Sequence, residues 1–345
     1  MAPSCTRAAT LRAVLRAASC CMWVLPARTM SAITVLRLPM VPGSDPHRTN
    51  ELLFHPGATP NHVIYFPGDV QSFEEDMAYH PENYRWKRWS FENAAALLSR
   101  RFPKHSIWIV KSSRMHLHKF SCYDNFVQSN LFGAPEHSTD LRAFTHLYAL
   151  LVNAFPLAEN MVSSQKTTCF ASEDKRFPEL SSMEATCTTN GCATEKESHL
   201  NHEFECFGSP SVKGSASFTL IGFSKGCVVL NQLLYELRQA KEDPHLESFM
   251  ANIKSMYWLD GGHSGGSNTW VTSAEVLEEF AQTGILVNTH VTPYQVHDTM
   301  RSWIGKEHRL FVQMLREYGV PASSQLHFAD KVPSLDNHFR VHEVF

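Results

Sequence analysis

The chain has 345 residues, 43% of them hydrophobic and 19% charged, a composition that can bury a large core. Its formal net charge of −3 removes the basic excess on which phosphate-backbone binding depends, so nucleic acid is not an expected partner. No apolar run approaches the ~20 residues needed to span a bilayer, and no transmembrane segment is expected.

No Asp or Glu precedes Asp45, whereas Arg7, Arg12, Arg16, Arg28 and Arg37 are interleaved with Ala, Leu and Val. Arg12 and Arg16 share a helical face opposite Leu11, Val14 and Leu15, the amphipathic, acid-free pattern of a mitochondrial transit peptide. The short apolar run Ala17–Ala27 is the rival feature, that of a secretory signal, but the arginines leave it little hydrophobic length. Residues 1–30 therefore read as a mitochondrial targeting segment, directed to the matrix, with secretion as the alternative. Nine cysteines are too few for a disulfide framework at this length, so free thiols in a reducing compartment are expected.

From residue 31 to 345 the pattern predicts one α/β domain. Ile33–Leu38 and Glu51–Phe54 read as opening strands, and His62–Phe66 as a buried strand stopped by Pro67-Gly68. A helix over Phe91–Arg101, a strand over Ser106–Val110 and a helix over Leu141–Phe155 follow. Between 157 and 217 periodicity vanishes and polar residues dominate, which predicts a disordered insertion or mobile flap; Cys187-x4-Cys192 within it lacks structural-zinc spacing. Order returns with the strand Ser217–Gly222 and a helix from Lys225 to Ala240. Then come Ile253–Leu259 (strand), Ser273–Gln282 (helix), Ile285–Val291 (strand), Thr299–Tyr318 (helix), Gln325–Ala329 (strand) and a closing helix around Phe339–Phe345. Eight strands, mostly parallel, with helices on both faces are the plan of the α/β-hydrolase fold.

Gly222-Phe223-Ser224-Lys225-Gly226 is a G-x-S-x-G pentad set where a buried strand meets a helix without a loop, the elbow that presents a nucleophilic serine. A serine hydroxyl needs a histidine base held by a carboxylate, in the chain order Ser, Asp, His. His338 lies after the last predicted strand and is preferred to His327, placed inside that strand, and to His342 on the closing helix. Asp260, entering Gly261-Gly262-His263 at a strand end, is the first candidate acid. Asp298 is the alternative, although its place before a helix also suits an N-cap. His263 has a solvent-facing default. The oxyanion donors are expected from the backbone of Lys225 and from Asp69 or Val70 in the loop after His62–Phe66, where an Asp69 carboxylate would repel an oxyanion. Phe73, Tyr79, Tyr84, Trp86, Trp89 and Phe91 cluster beyond that loop, more in the manner of core packing than of an acyl pocket. No cofactor or metal is called for.

The segments Val63–Gln71, Gly222–Cys227, Tyr257–His263 and Thr292–Val296 resemble a mitochondrial α/β-hydrolase-like family whose human member is named for a chromosome 2 open reading frame. Lipid-droplet serine hydrolases are a more distant likeness, from which Lys225 departs. The resemblance implies a mitochondrial location and an esterase- or lipase-like fold. Two functions follow: a serine hydrolase acting on an ester or thioester of a small-molecule or lipid acyl substrate, or an inactive scaffold that meets a protein partner through the 157–217 insertion.

Overall fold

The computed structural model describes residues 35–171 and 216–345. Two strands, β1 (Leu36–Pro42) and β2 (Thr49–His55), pair antiparallel at one edge of the sheet, and β2 is also antiparallel to β4 (Ser106–Val110). The remaining pairings of the sheet are parallel and join β3 (Asn61–Phe66), β9 (Ser217–Phe223), β10 (Ile253–Leu259), β11 (Leu286–Val291) and β12 (Ala322–Leu326). Among the described residues the order is β1-β2-β4-β3-β9-β10-β11-β12, with β9 near the centre.

Strand alternation divides the apolar side chains between two clusters. In β3, Val63 and Tyr65 join one cluster while Ile64 and Phe66 join the other; Ile107 and Ile109 of β4 oppose Trp108 and Val110 in the same way. The first cluster is closed by α2 (Phe91–Arg101) through Ala94, Ala95 and Leu98, and by α9 (Leu335–Val344) through Phe339 and Val341. The second is closed by α3 (Ala143–Ala171), α4 (Cys227–Glu242), α5 (Pro244–Ala251), α6 (Ala274–Ala281) and α8 (Ser302–Glu317), while α1 (Glu74–Tyr79) and α7 (Pro293–Val296) are short helices in the loops after β3 and β11. A mostly parallel sheet with helices on both faces and a serine elbow after its central strand is the α/β-hydrolase fold. Among the described residues no helix is long and apolar enough to cross a membrane.

Several elements differ from expectation; β1 starts three residues later and ends four later than expected, and α9 starts four residues earlier. Helix α3 does not stop before Pro156 but continues to Ala171, so the segment expected to be irregular from 157 begins as helix. The lost hydrogen bond at proline is offset because Ala158 is buried and Val162 packs on the core. Residues 172–215, with Cys187 and Cys192, and residues 1–34, which include the expected targeting segment 1–30, lie outside the described residues. Strand β12 occupies Ala322–Leu326 rather than 325–329: it is a half-exposed edge strand whose polar Ser323, Ser324 and Gln325 give no apolar signal. Two hairpins after β4, formed by β5 (Arg114–His116) with β6 (Phe120–Cys122) and β7 (Gln128–Ser129) with β8 (Pro135–Glu136), are too short to show a period in sequence.

Candidate active site

Ser224 follows β9 directly and opens a helical turn, Ser224–Gly226, that runs into α4. Its φ of +50° is a left-handed conformation that costs energy for a residue with a side chain and is held by its surroundings. Those surroundings require the pentad glycines. A Cβ on Gly226 would stand 1.9 Å from the Phe66 carbonyl oxygen, and one on Gly222 would stand 2.8 Å from Cys227 Cα. The elbow closes only because both side chains are hydrogen.

Asp260 ends β10 in the same left-handed region, φ +45°, and is fully buried. Its Oδ1 accepts the Thr292 N–H at 2.7 Å, and its Oδ2 accepts both the Thr292 hydroxyl and His338 Nδ1–H, the latter at 2.7 Å. Donation from Nδ1 fixes the tautomer and leaves the Nε2 lone pair for a proton. Asp298, the alternative acid, is elsewhere engaged: Oδ1 accepts the Met300 N–H and Oδ2 binds Arg301 Nε at 2.7 Å, and because α8 begins only at Ser302, after Arg301, Asp298 braces the turn before the helix instead of capping it as its position suggested. Arg301 and the Met300 amide hold its carboxyl below the usual range despite some burial.

His338 is in the first turn of α9, not in a loop before it, because Ser334 caps the helix by accepting the Asn337 N–H and starts it at Leu335. The imidazole is buried between Phe223, ring centroids 4.6 Å apart, and Tyr294 at 4.9 Å. Among the described residues no hydrogen bond joins Ser224 Oγ to His338, although the ring of Phe223, next to the serine in the chain, packs against the imidazole. The rival histidines are bound to other groups. His327 follows β12 and pairs with His290 at 2.9 Å, while His342 Nε2 faces the Tyr65 hydroxyl at 2.8 Å. His263 is not solvent-facing: Nδ1 accepts the Gly265 N–H, Nε2 binds the Asn268 carbonyl, and burial lowers its pKa to about 4.

The loop after β3 is pinned on all sides. Tyr123 donates its hydroxyl to the Pro67 carbonyl (2.6 Å) and Ser121 Oγ donates to the Gly68 carbonyl (2.9 Å); Gly68 N–H donates to Gln71 Oε1. Val70 N–H donates to the Lys119 carbonyl at 2.8 Å, which removes Val70 as an oxyanion donor. Asp69 N–H has no partner among the described residues. The Asp69 carboxylate does not face the site unopposed: Oδ1 accepts the Ser121 N–H at 2.8 Å and Oδ2 lies 3.7 Å from Lys225 Nζ. Burial raises the Asp69 carboxyl, against the pull of Lys225. Lys225 N–H lies in the first turn of its helical segment, where amides lack intrahelical acceptors. Sequence reading gave no role to Thr292, Ser121 or Tyr123, since each acts through a contact distant in the chain, nor to Gln71, which accepts the Gly68 N–H three residues back. Of the aromatic cluster, Phe73, Trp89 and Phe91 are core, and Trp86 and Trp89 stack on Phe339, whereas Tyr79 and Tyr84 are exposed.

With that geometry the chain can be set beside known proteins. The C2orf69 family profile matches residues 37–321. The chain belongs to the C2orf69 family. It is 60% identical over 319 residues to the mitochondrial protein C2orf69 homolog of Mus musculus, covering 88% of this chain and 85% of that one. It is 56% identical over 334 residues to mitochondrial protein C2orf69 of Homo sapiens (90% and 86%), and 43% identical over 331 residues to the Danio rerio homolog (91% and 86%). As a C2orf69 protein the chain is mitochondrial rather than secreted. Among solved structures it is similar to a thermostable esterase at 12% identity and a TM-score of 0.37, over 90% of this chain and 60% of that one.

Proposed function

We propose that this C2orf69 protein is a serine hydrolase acting on an ester or thioester of a small-molecule or lipid acyl substrate, with Ser224 as nucleophile, His338 as base and Asp260 as the orienting acid. The observation that carries the reading is the buried 2.7 Å bond from His338 Nδ1 to Asp260, made beside a serine held at positive φ. His338 Nε2 takes the Ser224 proton as Oγ attacks the carbonyl carbon, and the Lys225 and Asp69 amides receive the oxyanion. The imidazolium gives its proton to the departing alcohol or thiol. Water, deprotonated by the same nitrogen, then cleaves the acyl-serine. A Ser–His hydrogen bond that forms only when substrate is bound is ordinary for such sites.

The test is labelling of the protein, freed of residues 1–30, with a fluorophosphonate probe. Attachment at Ser224 that is lost in Ser224→Ala supports the reading; a folded protein that stays unlabelled overturns it and favours the scaffold function.

A further inference from the structure

Two residues have been assigned the oxyanion amides, and their own side chains are paired with each other. Lys225 is almost wholly buried, yet its ammonium makes one short hydrogen bond, 2.7 Å to the Phe132 carbonyl in the β7–β8 turn, before reaching Asp69 Oδ2 at 3.7 Å. Replacing a buried ion pair by apolar groups of similar size is often neutral or stabilising, so fold stability does not explain this pair. What the pair touches does explain it. Asp69 N–H and the Gly68 carbonyl belong to one peptide unit. Ser121 Oγ holds that carbonyl at 2.9 Å, and Ser121 N–H holds Asp69 Oδ1 at 2.8 Å. A planar trans peptide with its carbonyl drawn towards Ser121 directs its N–H the opposite way.

Gly68 is also the position where such a peptide turns most easily, since glycine places little steric restriction on its backbone. A side chain cannot replace it to stiffen the turn: a Cβ there would meet Ser224 Cβ at 2.8 Å and the Phe223 ring at 2.9 Å. Rotation of the Gly68–Asp69 peptide therefore has to be opposed from outside the loop.

We propose that Ser121 and Lys225 are positioning residues that lock the Gly68–Asp69 peptide with its N–H turned to the oxyanion, Ser121 from the carbonyl side and Lys225 through the Asp69 carboxylate. The lock rests on the hydrolase reading for its purpose but not for its existence. It also ties the catalytic loop to both hairpins, through Ser121 of β6 and Phe132 beside β8.

Fluorophosphonate labelling of the protein freed of residues 1–30, followed over probe concentration, tests the lock in Ser121→Ala and Lys225→Met. The expected result is a maximal labelling rate lower by about tenfold in Ser121→Ala and about tenfold to a hundredfold in Lys225→Met, with the half-saturating probe concentration unchanged. Hydrogen exchange read by mass spectrometry on the peptides carrying residues 66–72 is the independent arm, and should quicken in both variants while the β10 and β11 peptides stay protected. Wild-type labelling rates in both variants overturn the proposal. If wild-type protein does not label, the hydrolase reading fails and exchange alone decides: faster exchange at 66–72 upholds the lock, unchanged exchange overturns it.

Discussion

Asp260 and Asp298 follow consecutive strands, yet it is Asp260 that bonds His338, 2.7 Å from Oδ2 to Nδ1, whereas Asp298 binds Arg301 and the Met300 amide. Asn at 260 would keep the shape of the site and invert the hydrogen bond, stabilising the wrong imidazole tautomer. Asp260→Asn is expected to lower fluorophosphonate labelling at Ser224 by about 10⁴-fold, on the scale of such triad changes. Asp298→Asn is expected to stay within about threefold of wild type, since it removes a surface ion pair of small worth.

The two glycines around the oxyanion loop separate stability from activity. At Gly226 an added Cβ meets the Phe66 backbone at 1.9 Å, and backbone of a central strand does not yield. Gly226→Ala should cost about 3 kcal/mol or more in urea unfolding, at the upper end of overpacking effects. At Gly68 the Cβ meets Ser224 and the edge of Phe223, which lie in the site itself. Gly68→Ala should fold while labelling at least about tenfold more slowly.

Several buried histidines make stability depend on pH. Burial lowers the pKa of His308, and of His146, from 6.5 to about 4. Between those values the unfolded chain binds protons that the folded chain does not, so stability is full above pH 6.5 and falls as pH drops towards 4. Each such histidine accounts for at most about 3 kcal/mol of the loss. Urea midpoints should decline from pH 7 to 5, and His308→Gln should make the decline shallower; an unchanged slope would mean that His308 takes up its proton equally in both states.

Glu236 is fully buried and caps α3, its Oε1 accepting the Ala143 N–H at 2.7 Å and its Oε2 the Phe144 N–H at 2.9 Å. Glutamine offers only one acceptor oxygen. Glu236→Gln should therefore lower stability by about 1–3 kcal/mol in urea unfolding, the cost of leaving one buried donor unmet.

The amino-acid sequence by itself determined most of the sheet and the elbow, and it singled out Asp260 and His338, which the fold brings within 2.7 Å of each other. Buried strands such as Ser106–Val110 and Ile253–Leu259 announce themselves by apolar runs between turn residues, and the steric demand for glycine at 222 and 226 is written in the pentad. Both are local effects, carried by residues adjacent in the chain. The polar edge strand β12, the course of α3 beyond Pro156 and the engagement of the Val70 amide were settled by partners far away in sequence. Val70 lost its free amide to Lys119, and Asp69 gained counter-charge from Lys225, more than a hundred residues on. Hydrogen bonds and ion pairs act over a few ångströms whatever the separation along the chain, so those assignments exist only once the chain has folded.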